Sequence, residues 1–310
     1  MTASVSESVV SPSQSTPETV QHTLAGPAVF AGVGLHTGER VRAALLPAPS
    51  DTGIVFLRTD VKGDGRVLAH ASHVASTRLS TVLGNASGVT VGTVEHLMAA
   101  LWALGVDNAV VELDGPEAPI MDGSSAPFVS LIDRVGRRRQ EALRQAIEVL
   151  QPVEVIDGDR RAALVPASRF EVAVEIKFDS AAVGRQSLDM AVDEAAFRAD
   201  LADCRTFGFL HEVEALRRAG LAQGGSLDNA VVIDGDVLLN PEGLRRPDEF
   251  VRHKAVDAIG DLATLGRPLI GRYEGRYAGH AMNNALALAL LARPEAFRLR
   301  PPVMALAEAV

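Results

Sequence analysis

Hydrophobic and polar residues alternate in short segments through the first part of the chain. Residues 1–20 are rich in Ser, Thr, Val and Pro without periodicity, which predicts a solvated N-terminal tail. The pattern after the tail predicts three extended segments: a hairpin around Gly38 and Glu39, a strand over Gly53–Arg58, and a short strand at Thr90 and Val91. We therefore expect an antiparallel sheet.

A helical period begins after these strands. It predicts a helix from Thr93 to Leu104, with Thr93 as its N-cap and Gly105 as its C-terminal stop. A strand over Asn108–Leu113 and a second helix over Ser124–Val135 follow. The charged stretch Arg137–Arg144 has little to bury, so we interpret it as a linker or frayed helix end at the domain boundary. The predicted domains are residues 21–142 and 143–300.

The second half of the chain repeats this order of elements. It is predicted to contain strands over Pro152–Ile156, Ala162–Val165 and Phe170–Phe178, a helix over Asp248–Leu265 ended by Gly266, a strand over Leu269–Tyr273, and a helix over Ala281–Ala292. The motif L-x-x-L-G occurs at Leu101 and again at Leu262, an offset of 161 that aligns His96 with Asp257. The motif is also a common helix ending, so duplication and coincidence both stay open.

Composition narrows the class of protein. The 310 residues favour two domains sharing a cleft, and 47% apolar with 22% charged residues excludes wholesale disorder. The net charge of −9 and the lack of a long basic run argue against a nucleic-acid partner. A single cysteine cannot build a thiolate-rich site, so any metal must be held by His and carboxylates.

The composition and the N-terminus also predict a cytoplasmic protein. The first basic residue is Arg40, and the N-terminus lacks the apolar stretch of a secretory signal. The aliphatic run Ala285–Ala292 is too short to span a membrane. We expect no stable membrane insertion and, because no basic amphipathic helix is evident, at most transient contact with the inner leaflet.

The helix that begins at Thr93 has an unusual second face. Opposite its apolar core side it carries Glu95 and His96, followed only by alanines, where a solvated helix would carry several charges. Something must therefore pack close to this face. A histidine tucked under a neighbouring loop is the alternative interpretation of the Glu-His pair.

The helix over 248–265 places a histidine and a carboxylate one turn apart. His253 and Asp257 point at a common spot, the spacing of a helical half-site for a divalent metal, and Asp261 lies one turn further. A solvent-facing network of i,i+4 pairs would have the same spacing.

A catalytic zinc site needs three protein ligands and an open position. His96 supplies the third ligand if the two helices meet, and Glu95 is then placed as general base. His280, at the start of the last helix, would be neutral if unassisted, and a carboxylate such as Asp261 would keep it protonated as a general acid. A simple helix-capping role for His280 is the alternative.

Seven motifs in this order resemble the UDP-3-O-acyl-N-acetylglucosamine deacetylase family. They run from about residue 24 to 292: Gly32-Val-Gly-Leu-His-Thr-Gly38, Thr93-Val-Glu-His-Leu97, Ala118-Pro-Ile-Met-Asp-Gly-Ser124, Arg205-Thr-Phe-Gly-Phe209, Gly224-Gly-Ser-Leu-Asp228, Val251-Arg-His-Lys254 continuing to Asp257 and Asp261, and Gly279-His-Ala-Met-Asn-Asn284.

The resemblance implies an α+β fold of two topologically similar domains, each a β-sheet packed on a helix pair, in a layered sandwich with the active site at the interface. It implies zinc bound by His96, His253 and Asp257. Glu95 would activate the attacking water, and His280 would stabilise the oxyanion and protonate the leaving amine. Further implied roles belong to the following residues: Thr206 and Lys254 at the oxyanion and substrate, Asp261 orienting His280, and Phe207 and Gly225 in substrate binding.

The implied substrate is a UDP-linked acylated amino sugar, deacetylated to the free amine and acetate in the committed step of lipid A biosynthesis. An insertion over about 208–234 would form the passage for its acyl chain. We expect a monomer, and the donor set also suits Fe(II). A metal-dependent amidase on another N-acyl sugar and a catalytically silent nucleotide-sugar binding protein are the rival hypotheses. Cys204 is expected to be a quiet core thiol, and His36 either fixes the hairpin or lies behind the site.

Overall fold

The structure, a computed structural model, describes residues 19–301, which contain six α-helices and twenty strands. The elements of the first half are β1 (Val20–Leu24), β2 (Ala28–Val33), β3 (Arg40–Pro47), β4 (Ile54–Arg58), β5 (Arg66–Leu68), β6 (Val74–Ser76), β7 (Val82–Gly84), β8 (Thr90–Val91), α1 (Glu95–Ala103), β9 (Ala109–Leu113), α2 (Ala126–Val135) and β10 (Arg137–Leu143). Most of these elements match the sequence predictions.

The elements of the second half follow without a break in the chain. They are β11 (Ala146–Val149), β12 (Val153–Asp157), β13 (Arg160–Val165), β14 (Phe170–Lys177), β15 (Arg185–Ala191), α3 (Glu194–Asp200), β16 (Phe207–Phe209), α4 (Leu210–Arg218), β17 (Val231–Asp234), β18 (Val237–Leu238), α5 (Glu249–Ala263), β19 (Leu269–Arg276), α6 (His280–Leu291) and β20 (Phe297–Arg300). The fold is therefore of the mixed α+β class.

The main sheet of the first half has the strand order β2-β3-β9-β4-β5. Its strands alternate buried and exposed positions, as in β3, where Val41, Ala43 and Leu45 face the core. The expectation of a purely antiparallel sheet is wrong for one pair, because β4 and β9 run parallel. Parallel neighbours need a long crossover, and the chain between β4 and β9 provides it with α1.

The main sheet of the second half repeats this arrangement in β12-β13-β19-β14-β15, with β14 and β19 parallel and the other pairs antiparallel. β11 and β20 extend it at the start of β19. Gly105 and Gly266, the glycines of the repeated motif, both have positive φ (64° and 73°) at the ends of α1 and α5. The strand order thus agrees with the repeat seen in the sequence.

Helices α1 and α5 pack against each other in the core. A Cβ added to Gly260 would lie 2.0 Å from the carbonyl oxygen of Glu95, so the two backbones approach as closely as a glycine permits. Ala99 and Ala100 of α1 are fully buried. The sequence prediction that something packs close to the Glu95 face of this helix is confirmed.

Two local predictions are wrong. Thr93 does not cap α1: the helix begins at Glu95 and Val94 flanks it, while Thr93 has φ 53° and its hydroxyl donates to Glu117 instead. A positive φ at Thr93 could not be predicted from the sequence, because β-branched residues disfavour this backbone conformation.

The charged stretch after α2 is also not a linker or a frayed helix. Residues Arg137–Leu143 form β10, which pairs antiparallel with β1 in a two-stranded ribbon. The backbone hydrogen bonds of such a ribbon are made between its two strands, so it needs no continuous apolar face. Because its side chains are mostly charged, the sequence pattern did not indicate a strand. The domain boundary at 142/143 stays a prediction.

Two predicted segments have different outcomes. The predicted tail lies outside the described residues except for Thr19 and Val20, and Val20 already belongs to β1. Residues 208–234 contain α4, none of whose side chains is fully buried, between the parallel strands β16 and β17. Within residues 19–301, no helix is long and apolar enough to cross a membrane.

The contact between α1 and α5 gives a stability prediction. Gly260→Ala is expected to lower the free energy of unfolding by at least about 1–3 kcal/mol, because the new methyl group meets the Glu95 backbone rather than a side chain that can move away. Urea denaturation measures it. Gly26→Ala is the control, since its added Cβ has no atom within 4 Å. Equal stability of the two variants would contradict the close packing.

Candidate metal centre

Three side chains from the two packed helices meet in the core. The ligand atoms of His96, His253 and Asp257 lie within 4.8 Å of one another, and all three residues are buried. Asp257 Oδ1 is 3.2 Å from His253 Nε2 and 3.5 Å from His96 Nε2. The structure therefore brings together the three residues predicted as ligands, and two imidazoles with a carboxylate are a donor set that divalent metals accept.

The surroundings of His253 prepare it to be a ligand. Its Nδ1 donates to the carbonyl oxygen of Cys204 at 3.0 Å, a bond that leaves Nε2 free to accept or ligate. Burial lowers the pKa of His253 to about 3, although Asp257 opposes this, so the imidazole is neutral at pH 7.

The residues around Cys204 hold that carbonyl in place. Arg205, 2% exposed, donates its backbone N–H and its Nε to Glu249 Oε1 at 3.0 and 2.9 Å. Burial raises the pKa of the Cys204 thiol to about 12, which keeps it protonated. The predicted core location of Cys204 is confirmed, and its lack of reactivity stays a prediction.

Asp257 is a buried carboxylate that stays ionised. Burial raises its pKa, but His253, Lys254 and a hydrogen bond with His96 outweigh that effect and hold it well below the usual range. Lys254 Nζ donates to Asp257 Oδ2 at 2.7 Å, on the side away from the histidines. One carboxylate oxygen is thus left to the metal cluster.

His280 and Asp261 form a second buried pair beside the cluster. His280 Nδ1 lies 2.9 Å from Asp261 Oδ2, which also accepts from Asn283 Nδ2 at 2.8 Å. Burial lowers the pKa of His280, but the nearby carboxylates of Asp261 and Glu95 raise it by a larger amount. The pKa is therefore raised to about 10. The structure supplies the carboxylate partner that the sequence argument required for a protonated imidazole.

Glu95 faces His280 from α1. Its Oε1 is 3.8 Å from His280 Nε2, and its Oε2 accepts the backbone N–H of Thr81 at 3.1 Å. Burial raises the pKa of Glu95, against the opposing effects of His280 and His96. A buried carboxylate with a raised pKa accepts a proton more readily than an exposed one.

The remaining predicted residues lie at different distances from this centre. The ring of Phe207 is 6.4 Å from that of His253 and 5.5 Å from Lys254 Nζ. Thr206, next to it, is fixed by backbone hydrogen bonds to Gly123 and Val231. Gly225 lies in a loop whose neighbour Gly224 bonds to the turn at residues 34–38. The roles of Thr206, Phe207 and Gly225 stay predictions.

Sequence reasoning missed two buried polar residues that fix the segments around the centre. Glu117, 2% exposed, accepts from the backbone N–H groups of His36 and Thr37 and from the Thr93 hydroxyl. Thr81 touches both Glu95 and Asp261. Each lies in an irregular segment where no periodicity marks a buried polar side chain. The backbone of His36 is fixed by Glu117, and burial lowers the pKa of its ring.

Comparison with known proteins agrees with the geometry. Residues 21–292 match the family model described as LpxC, UDP-3-O-acyl N-acetylglycosamine deacetylase. Proteins named UDP-3-O-acyl-N-acetylglucosamine deacetylase are similar to this chain in Phenylobacterium zucineum (67% identity over 291 residues, 94% of this chain and 99% of the relative), Myxococcus xanthus (49% over 281, 91% and 89%) and Neisseria meningitidis (47% over 282, 90% and 92%).

The ion pair of His280 generates a prediction for the metal-free protein. Asp261→Asn is expected to bring the pKa of His280 well below about 10. Of the two carboxylates closest to His280, only Glu95 would then remain to oppose the effect of burial. An NMR titration of the imidazole measures this. Asp189→Asn, which breaks a surface pair with Arg272, is the control and should leave the His280 titration unchanged.

The same pair predicts how stability depends on pH. The folded-state pKa of about 10 exceeds the ordinary 6.5, so the charged His280 stabilises the fold fully below pH 6.5 and the effect disappears as the pH rises through about 10. The stability difference between wild type and Asp261→Asn should shrink over this range in urea denaturation. A difference that grows with pH would contradict the assignment.

Proposed function

The chain belongs to the UDP-3-O-acyl-N-acetylglucosamine deacetylase family, and we propose that it carries out this reaction with zinc held by His96, His253 and Asp257. The N-acetyl group of an acylated UDP-N-acetylglucosamine is removed as acetate, which leaves the free amine and commits the substrate to lipid A biosynthesis. The observation that carries the proposal is the buried trio of ligand atoms with a carboxylate and a charged imidazole beside it.

The donor set fits the metal. Both imidazoles and the carboxylate are buried, His253 is neutral, and Asp257 is ionised, as ligation requires. Bound zinc would supply Lewis-acid polarisation of the amide carbonyl and a lowered pKa for a water molecule at the site. Fe(II) suits the same residues.

Glu95 and His280 divide the proton transfers. Glu95, with its raised pKa, accepts the proton of the attacking water. His280 is charged and lies 3.8 Å from Glu95, so it faces the same reacting group. It stabilises negative charge as this develops on the carbonyl oxygen and then protonates the amine that leaves.

Neighbouring residues orient the substrate and the acid. Asp261 holds Nδ1 of His280 and thereby directs Nε2 toward the reaction. Lys254, one quarter exposed, lies beside Asp257 and above Phe207, where its charge assists at the substrate. We assign Thr206 to the oxyanion, and Phe207 and Gly225 to substrate binding.

The acyl chain follows residues 208–234. Phe209 packs beside Phe178 at 5.6 Å between ring centroids, and α4 presents a half-buried apolar side with Val213 and Leu216. The two similar sheets and their helices form two layered domains with the site between them. The enzyme is a cytoplasmic monomer that meets its lipid-bearing substrate in transient contact with the inner leaflet, and it has no nucleic-acid partner.

The test combines metal content with acetate release from the acylated UDP-N-acetylglucosamine. The wild type is expected to carry about one zinc or iron per chain and to turn over. His253→Ala should lose both, since it removes a buried ligand. Glu95→Gln should keep the metal and lose roughly 10²–10⁴-fold in kcat, the usual contribution of a general base. Glu141→Gln, on the exposed ribbon strand β10, is the matched control.

Two results would redirect the proposal. Metal without turnover on this substrate would favour an amidase acting on another N-acyl sugar. Absence of both metal and turnover would favour a nucleotide-sugar binding protein without catalysis.

A further inference from the structure

Thr81 connects the two halves of the candidate site. It immediately precedes β7, is 2% exposed, and lies between α1 and α5. Its hydroxyl donates to Asp261 Oδ1 at 2.5 Å, and its backbone N–H donates to Glu95 Oε2 at 3.1 Å. Its carbonyl oxygen accepts from the N–H of Val94, directly before α1. One residue of an irregular segment thus contacts the carboxylates of Glu95 and Asp261 and the start of a helix.

The hydroxyl determines how the Asp261 carboxylate is turned. Oδ1 is occupied by Thr81, so Oδ2 faces His280 Nδ1 and Asn283 Nδ2. Asn283 is itself held, because its Oδ1 accepts the Tyr273 hydroxyl at 2.6 Å. A buried carboxylate that accepts hydrogen bonds at both oxygens has one orientation, and its partner imidazole inherits that orientation.

The backbone N–H fixes Glu95 in the same frame. Glu95 and Asp261 belong to different helices, and Thr81 sets the position of one carboxylate relative to the other through bonds to each. The remaining Glu95 oxygen is the one that faces His280. The proton acceptor and the proton donor are therefore aligned through a single residue.

We infer that Thr81 is a positioning residue of the proposed reaction, whose hydroxyl orients Asp261, and through it His280, relative to Glu95. The inference rests on the proposed function. The hydrogen bonds of Thr81 go to Glu95, Asp261 and Val94 and not to the three proposed metal ligands, so it acts through the residues that it holds.

Two substitutions separate the hydroxyl from the rest of the side chain. Thr81→Val keeps the shape and removes the donor, whereas Thr81→Ser keeps the donor and removes a buried methyl group. Thr81→Val is expected to lose about 10- to 100-fold in kcat, the range for residues that orient ligands and catalytic groups from behind, with KM nearly unchanged and the metal retained. Thr81→Ser should keep most of the activity, because Asp261 Oδ1 keeps its hydrogen-bond donor.

The matched control is Thr264→Val. Thr264 is also buried and bonded to Asp261, but its hydroxyl donates to the backbone carbonyl of Asp261 and not to the carboxylate. Its loss should leave kcat near that of the wild type.

A second measurement does not depend on turnover. In the metal-free protein, the hydrogen-bonded Nδ1 proton of His280 should give a downfield NMR signal in wild type and Thr81→Ser. This signal should shift or broaden in Thr81→Val, because Asp261 is free to turn. An unchanged signal in Thr81→Val would overturn the inference.

The activity results distinguish the two proposals. Wild type that binds metal and turns over, with Thr81→Val equally active, would overturn the positioning role alone. Thr81→Ser as impaired as Thr81→Val, or loss of metal from Thr81→Val, would also overturn it, since packing or metal binding would then explain the effect. Wild type without acetate release would overturn the proposed function and this inference with it.

Discussion

The close approach of α1 and α5 is the constraint on which the site depends. At Gly260 there is no room for a side chain against the Glu95 backbone, and this contact places His96 opposite Asp257 across the helix pair. Because the helices carry small residues here, polar side chains from both enter the same buried space. A wider separation, which a single methyl group would demand, would move one of the three proposed metal ligands away from the other two.

Burying several ionisable groups together requires a partner for each. Asp257 has Lys254 on one oxygen, and Asp261 accepts from Thr81, Asn283 and His280. Glu95 has less: one backbone N–H and an imidazole at 3.8 Å. Burial raises the pKa of Glu95 against the opposing effects of His280 and His96, which suits the role of proton acceptor proposed for it.

The sequence predicts those parts of the site whose residues are placed by the regular spacing of a helix. His253 and Asp257 are one turn apart on one helix, and a face of Glu95, His96 and alanines requires a close neighbour; both inferences need only the helical period. Thr81 and Glu117 could not be predicted because their positions depend on loops. The positive φ of Thr93, whose hydroxyl donates to Glu117, could not be predicted because a β-branched residue disfavours it. Strand β10 was not predicted because a paired ribbon strand tolerates charged side chains at most positions.

The two helices contribute unequally when they are aligned at the sequence offset. At the offset of 161, His96 corresponds to Asp257, but the position equivalent to His253 is Gly92, which precedes α1. The fifteen residues of α5 against nine in α1 supply the extra turn that carries His253 and Lys254. The position equivalent to Asp261 is Ala100, which is fully buried and gives α5 room to approach. Helix α5 thus provides most of the polar groups of the proposed site, whereas α1 provides buried alanines together with one proposed ligand and the proposed base.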